Sequence, residues 1–530
     1  MSIFGLSAVS PEIILEICKH LESPKDRLNL VCCSQLFYDL CLPLLYKKLR
    51  TGDKDLVPIA RVVRTLVEKP ALAARVHILH LFDWETYIGF NFAEFDEALK
   101  AFKEECAMER EQEDTSEEEA NEGDADEHDA DEHDADEHDA DEHDVDDDDC
   151  DNDKDDEDYG DNGDNASDNG SIYLKTFDYG PLREQAKLVT RSEDETDYWM
   201  DEIAIGNADA WVAMLLTLLP NLQRLEIEFP YGSLWVRWVL KWAIAGRLDS
   251  MPAFKSLSEV YVDWDSEKVK ACSRNIMPFF LLPSMRRFYA SKLFDRLGMF
   301  EEAWADDDDL TGVAQFSPVT HIEIDESDGK WEMWKVVAIC KNLQSFKYNH
   351  SGCVGFDPGA FYKELFPLRE TLETIWLDIK EGSRGDCMED LHHCNDPLPS
   401  FKDFISLKTL HLRMKNLPGL NVQSGGNHAS MPFAGALPSS LETLQIADIG
   451  NLANLQILVQ KLQDHLEHDL DSTPALREIA IETLLNSPKI PKLLLDLDRA
   501  CTKVNIKFYV CDTHDGRAKW RADGFTPCVL

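Results

Sequence analysis

The chain has 530 residues, 44% of them hydrophobic, and a formal net charge of −48. That length holds several domains or one long solenoid, and the hydrophobic share supports a sizeable core. With no basic stripe to meet phosphates, no apolar run of about 18 residues and no basic, apolar leader, the reading is no nucleic acid, no membrane and no signal peptide. The scattered 14 cysteines then imply reduced thiols inside the cell, in the cytoplasm, the nucleus or both.

The first fifty residues form a helical pattern. Ser10 suits a helix N-cap, and Pro11 suits the first helical position because its missing N–H has no intrahelical partner there. Ile13, Ile14, Ile17 and Leu21 recur at helical spacing. Ser23-Pro24 ends that stripe, Leu28, Val31 and Cys32 begin another, Phe37, Leu40 and Leu44 continue the apolar positions beyond it, and Pro43 interrupts the chain again. Helices this short cannot bury all these faces among themselves, so something else covers them.

The pattern resembles the F-box, the helical module that docks on the small Skp-type adaptor of SCF ubiquitin ligases. Val9, Glu12, Ile13, Ile14, Ile17, Leu21, Pro24, Leu28, Val31, Cys32 and Phe37 carry the resemblance. Val9-Ser10 stands where the family has Leu-Pro, and the spacing from Val31 to Phe37 is a residue long. The resemblance implies an adaptor-binding set of Val9, Pro11, Ile13, Ile14, Ile17, Leu21, Leu28, Val31 and Phe37. Within it, Ile14, Ile17, Leu21, Leu28 and Val31 would form one apolar docking face. The competing reading is a helical cap on the domain that follows.

Next, residues 55–69 read as a helix with Val57, Ala60, Val63 and Val67 to one side, and 75–81 alternate like a strand. A helical stretch from Phe92 to Met108 runs into an acidic tract. From Glu109 to Asp168 there are 34 acidic residues against Arg110 and Lys154, a local charge of −32, leaving −48 − (−32) = −16 for the rest. Asp-Ala-Asp-Glu-His recurs there four times, ending at His128, His133, His138 and His143. So charged and apolar-poor a segment cannot offset its ordering entropy, and 109–170 is expected to be disordered.

From Trp211 a longer repeat runs, with the unit apolar-x-x-apolar-x-apolar. It occurs as Leu222/Leu225/Ile227, Leu257/Val260/Val262, Met285/Phe288/Ala290, Val319/Ile322/Ile324 and Leu343/Phe346/Tyr348. It returns as Leu372/Ile375/Leu377, Leu407/Leu410/Leu412, Leu441/Leu444/Ile446 and Leu476/Ile479/Ile481, with Cys501/Val504/Ile506 as a degraded last copy. Val76/Leu79/Leu81 fits upstream, so the acidic tract interrupts the array early. Helix-like stretches lie between units at 211–219, 234–245, 331–340, 452–468 and 490–500. Strand alternating with helix at this period predicts an α/β solenoid. It looks like a leucine-rich repeat array. The family's Asn or Cys three residues past the third apolar position is missing; Pro230, Asp265, Leu293, Ser327, Ser351, Lys380, Lys415, Ile449 and Leu484 stand there. Irregular turns and uneven curvature are expected.

The motifs of hydrolases, P-loops, dinucleotide folds and zincins are absent. His465-Leu-Glu-His468 has the wrong spacing for a metalloprotease pair and reads as a solvated helix face. Cys387, His392, His393 and Cys394 could supply zinc ligands, but two adjacent histidines suit a loop better than a tetrahedral site. The His-carboxylate repeats of the tract would at most collect divalent metals weakly. Ser116 and Ser192 precede acidic runs that resemble sites for acid-directed kinases. Trp235, Trp238 and Trp242 share a helix face and read as core. Recognition would sit in the loops at 382–399 and 417–438.

The reading is therefore α/β: an F-box-like helical module (1–50), linking helices with a first repeat-like unit (51–108), a disordered acidic insertion (109–170) and an irregular leucine-rich-repeat-like solenoid (171–530). The resemblance implies a non-catalytic substrate receptor without cofactor or metal, joined through the Skp-type adaptor to a cullin-RING ligase, its repeats holding an unknown protein substrate. The alternative is a repeat scaffold unconnected to ubiquitination.

Overall fold

The computed structural model describes residues 10–21, 23–52, 56–84, 177–230, 233–248, 251–263, 271–294, 316–327, 333–351, 356–379, 395–420, 433–482 and 490–511. The Phe92–Met108 stretch, the acidic tract with Ser116 and the Cys387–Cys394 cluster lie outside the described residues. So do Val9 and most of the two loops expected to carry recognition. Residues 1–86 and 172–530 form one compact unit.

Its backbone is a 12-stranded parallel sheet whose strands follow one another in chain order. They are β1 (Lys48–Thr51), β2 (Ile78–Leu81), β3 (Arg224–Glu228), β4 (Glu259–Asp263), β5 (Arg287–Ser291) and β6 (His321–Ser327). β7 (Ser345–His350), β8 (Thr374–Ile379), β9 (Thr409–Arg413), β10 (Thr443–Ala447), β11 (Glu478–Glu482) and β12 (Lys507–Cys511) complete it. β2 pairs directly with β3, Leu79 opposite Leu225, so the acidic segment is an insertion between neighbouring strands. The sheet starts one strand earlier than the repeat pattern suggests, because β1 leaves the helical head at Lys48 and spans the expected boundary at residue 50.

Each unit buries its apolar triplet. Leu225, Ile227, Val260, Ile375, Leu410, Leu412, Leu444 and Ile479 are all 2% exposed or less. The alternation of a strand turns the second and third positions to one side, where the helices cover them. The preceding first position, as at Leu257, Leu343 and Leu407, is equally buried. One residue before each strand, a backbone bond runs to the previous unit; Ser258 N–H to Gln223 O, Arg286 N–H to Ser258 O and Lys408 N–H to Glu373 O are examples. The turn that follows is often left-handed: Asp83, Lys292, Glu326 and Asp448 have positive φ and stand two residues past the third apolar position.

The missing Asn ladder has a partial substitute. Ser327 is fully buried; its hydroxyl accepts the Leu293 N–H at 3.0 Å and donates to Asp325 O, tying two successive turns. The last strand lies four residues beyond the expected Cys501/Val504/Ile506 triplet. Register aligns Ile479 with Phe508 and Ile481 with Val510, while Cys501 sits in a helix that runs on to Lys503. A helix of 14 residues, about four turns, outweighs a loose match.

The helices in chain order are α1 (Pro11–His20), α2 (Pro24–Val31) and α3 (Gln35–Lys47) in the head, then α4 (Val57–Glu68). α5 (Gly180–Lys187), α6 (Glu193–Ile205), α7 (Ala208–Thr217), α8 (Trp235–Ile244) and α9 (Ser273–Leu281) follow. The last are α10 (Met333–Ile339), α11 (Pro358–Leu365), α12 (Leu452–His468) and α13 (Ile490–Lys503). On α4 Val57, Ala60 and Val63 are buried as expected, with Leu66 rather than Val67 completing the stripe. Pro43 does not interrupt the chain; it lies inside α3, where it removes one backbone bond but leaves a helix held at both ends by packing.

In the head, Ser10 and Pro11 stand at the N-cap and first position of α1, although the Ser10 side chain makes no cap bond, and Ser23 and Ser34 accept the N–H of Asp26 and Phe37 to cap α2 and α3. Ile14, Cys18, Val31, Phe37 and Cys41 form its core, separate from that of the array. Cys18 and Cys41, with Cα atoms 6.5 Å apart, are disulfide-paired, against the expectation of reduced thiols throughout. No helix among the described residues is long and apolar enough to cross a membrane.

Candidate interaction surface

Because parallel strands in register stack equivalent residues in rows, the residue between the two core positions of each unit forms a line across the opposite face of the sheet. That line runs Arg50, His80, Glu226, Tyr261, Tyr289, Glu323, Lys347, Trp376, His411, Gln445, Ala480 and Tyr509. It is polar and aromatic almost throughout, whereas the rows on the core side are aliphatic.

Its chemistry falls into three stretches. Around Glu226, which is 3% exposed, the ammonium of Lys48, the ring of His80 and Nε of Arg224 lie at 3.8, 3.7 and 3.0 Å. Burial holds His80 below the ordinary histidine range although Glu226 pulls the other way. In the middle, Tyr261 and Tyr289 stack at 4.3 Å between ring centroids. Burial pushes both phenols upward, aided at Tyr261 by Asp263 and at Tyr289 by Asp325 and Glu323. Further on, Trp376 and His411 lie face to face, 3.6 Å apart with planes 3° from parallel. His411 is fully buried, and burial lowers it to about 3. Gln445 beside it opposes that shift, yet neither ring nitrogen closes a hydrogen bond of good geometry.

The next row, two residues along each strand, is rich in carboxylates. Glu228 lies opposite Asp263, Asp325 opposite Ser291, and Asp378 opposite Asn349. Like charges on neighbouring strands repel, so this edge of the face carries a negative potential. Arg413, only 2% exposed, donates from Nε to Asp448 at 2.9 Å. The chemistry of this face is stacking, hydrogen bonding and charge, and most of its side chains are buried. Among the described residues no group of three His, Cys, Asp or Glu side chains converges as a metal site.

The head divides the residues expected to dock together. Ile14, Val31 and Phe37 are 1%, 5% and 8% exposed and pack inward, because three short helices need these side chains for a core of their own. Of the expected face of Ile14, Ile17, Leu21, Leu28 and Val31, Ile17 and Leu28, at 44% and 49% exposure, are outside together with Ile13 at 55%; Leu21 is half-buried and Pro11 is exposed. Leu36 and Tyr38 add to the exposed apolar surface.

Other expectations resolve individually. Trp235 and Trp242 are buried against Trp199, as core. His465 is not a solvated residue: it is 2% exposed, with Nε2 2.9 Å from the Thr473 hydroxyl, while His468 faces solvent. Ser192 caps α6 by accepting the Glu195 N–H. A buried anion went unnoticed in sequence. Asp209 of α7 accepts hydrogen bonds from the Ser233 hydroxyl and from the N–H groups of Leu234, Trp235 and Val236, so its carboxylate caps α8 from outside. Burial pushes its pKa up against these four donors. The row on the face opposite the core is legible in sequence, since it is the residue between the second and third apolar positions of every triplet.

A family model described as a leucine-rich repeat domain matches residues 181–487 of this chain. Among curated proteins no relative matches. The matched span covers β3 to β11 and does not reach the head.

Proposed function

The chain belongs to the leucine-rich repeat domain family, and on that premise we propose that it is the substrate receptor of an SCF-type ubiquitin ligase. A repeat domain of this kind is a protein-interaction scaffold. In the proposed arrangement the head binds the Skp-type adaptor and the adaptor binds a cullin-RING scaffold. The open sheet face holds a protein substrate beside the ubiquitin-loading enzyme. The chain performs no acyl transfer; it raises the local concentration of substrate lysines.

The observation that carries this reading is the uncovered stripe of Ile13, Ile17 and Leu28. An apolar stripe left outside a module that already has its own core suits a docking partner. Replacing Ile13 and Ile17 together with Asp should abolish co-purification of the adaptor and leave the urea midpoint of the array unchanged. Retained adaptor with both substitutions refutes the reading. A second reading, a scaffold with the head as cap, has one observation in its favour: α3 runs straight into β1, which pairs with β2. Strong hydrogen-exchange protection of α1 without adaptor would favour the cap.

A further inference from the structure

A covalent tie crosses the core of the head. Cys18 of α1 is bonded to Cys41 of α3, 23 positions further on, and both side chains are fully buried. We propose that this pair is a redox latch: closed, it holds α1 on α3, and open, it releases α1. The latch is read from the packing of the head alone, and its bearing on partner docking rests on the adaptor reading above.

Little else fixes α1. It has 10 residues, and a helix that short is marginal in water without tertiary contacts. Its N-cap, Ser10, makes no side-chain cap bond. Its inward residues, Ile14 and Cys18, are two of the five side chains in the core of the head. Val31, Phe37 and Cys41 supply the rest, with Leu30, Leu40, Leu42 and Leu44 packed around them. Where α1 ends, Arg27 Nε donates to Leu21 O at 2.7 Å. The Glu16–Lys19 pair on its outside is exposed and screened by solvent.

By contrast, α3 runs directly into β1, which pairs with β2. The Cys18–Cys41 bond therefore links a weakly held helix to a firmly held one. Ile13 and Ile17, the exposed residues of the stripe, each directly precede one of the inward pair Ile14 and Cys18. The helix that the latch holds is thus the helix that displays the stripe. With the latch open, a partner must order α1 as it docks, and its apparent affinity falls.

Closing the latch removes two electrons and two protons from the pair, and a small disulfide such as glutathione disulfide accepts them. One cysteine thiolate attacks a sulfur of the oxidant, displacing one glutathione and leaving a mixed disulfide. The other cysteine thiolate then attacks the protein sulfur of that intermediate. The Cys18–Cys41 bond forms, and the second glutathione leaves; each glutathione carries off one proton. Opening is the reverse, with two glutathione thiols as reductant. Because both sulfurs are buried, either direction proceeds through a locally opened head.

The test is peptide-resolved hydrogen exchange on the full chain without adaptor, equilibrated with glutathione disulfide or with excess glutathione. Cys32→Ser and Cys33→Ser remove the two exposed thiols of the head, and the mass of the linked peptides reports the bond. The bond should be present in the first buffer and absent in the second. Its loss should make the α1 amides exchange at least about tenfold faster, with α4 and β2 unchanged. Cys18→Ala with Cys41→Ala should exchange fast in both buffers, and the reduced chain gives the same reading without altering the core. A bond that resists excess glutathione overturns the latch in favour of a permanent staple. No bond in the disulfide buffer, or equal α1 exchange in the two forms, overturns it as well. The adaptor experiment with Ile13 and Ile17 stands apart from all of these outcomes.

Discussion

The head and the array handle apolar residues in opposite ways. In the array, every strand from β2 to β11 sends its apolar pair into the core, and the residue between them, on the other side of the sheet, is polar, aromatic or small. The head encloses five side chains, two of them the disulfide pair Cys18 and Cys41, and leaves Ile13, Ile17 and Leu28 in solvent. A continuous core of repeats buries its strands because each unit borrows burial from its neighbours, and exposed apolar side chains such as Ile205 and Ile405 lie outside the strands. Three helices of 10, 8 and 13 residues have no such neighbours on their outer side. The contrast is one of packing: the array shares one core along its length, whereas the head has a small core of its own.

The comparison breaks most visibly by truncation. Leu410→Ala in β9, at a fully buried site, should cost about 2–5 kcal/mol in urea unfolding. Ile13→Ala in the head should change stability by less than about 0.5 kcal/mol. Similar losses at the two sites would mean that the outer stripe is already packed against something. The buried anion comes next. Asp209→Ala strands three backbone N–H groups and a hydroxyl, and a loss of about 2–3 kcal/mol is expected, with Asp209→Asn recovering part of it.

The pH response tests the open face more finely. The folded pKa of His411, about 3, lies below its unfolded value, so its contribution is complete above about pH 6.5 and is lost as pH falls toward 3. Asp378, at about 6 when folded, has the opposite sign: its contribution is complete below about pH 4 and is lost as pH rises through 6. Between pH 4 and 6 the two oppose each other at up to about 1.4 kcal/mol per pH unit each. Relative to wild type, His411→Phe should make stability fall more with rising pH in that window, and Asp378→Asn should make it rise more. Equal slopes in both variants would show that neither group titrates as its surroundings dictate. The smallest effect is at the sheet's exposed margin, where Lys408 donates to Glu373 across two strands at 2.7 Å. Lys408→Ala should leave the urea midpoint unchanged within error, because solvent screens the pair.

Much of the array was legible from residue spacing because its signal is local. Leu407, Leu410 and Leu412 announce a strand wherever they stand, and nine triplets downstream of Trp211 fell on the strands they suggested. The tenth failed at Cys501, where the apolar face of a helix imitates the template. His465 was misread for a related reason: spacing on α12 says which residues share a side, but only the neighbouring turn with Thr473 decides whether that side is wet.

Amino-acid order by itself determined the repeat, its strand-and-helix alternation, the place of the acidic insertion and the existence of an apolar helical head. These depend on contacts a few residues apart and on composition. Tertiary structure alone decided which side of the head faces out, that Asp209 caps a helix 26 residues further on, and that Asp378, Arg413 and His411 meet on one face. Such juxtapositions depend on the register between strands about 35 residues apart. No local pattern encodes that register; it emerges only when each unit packs on the last.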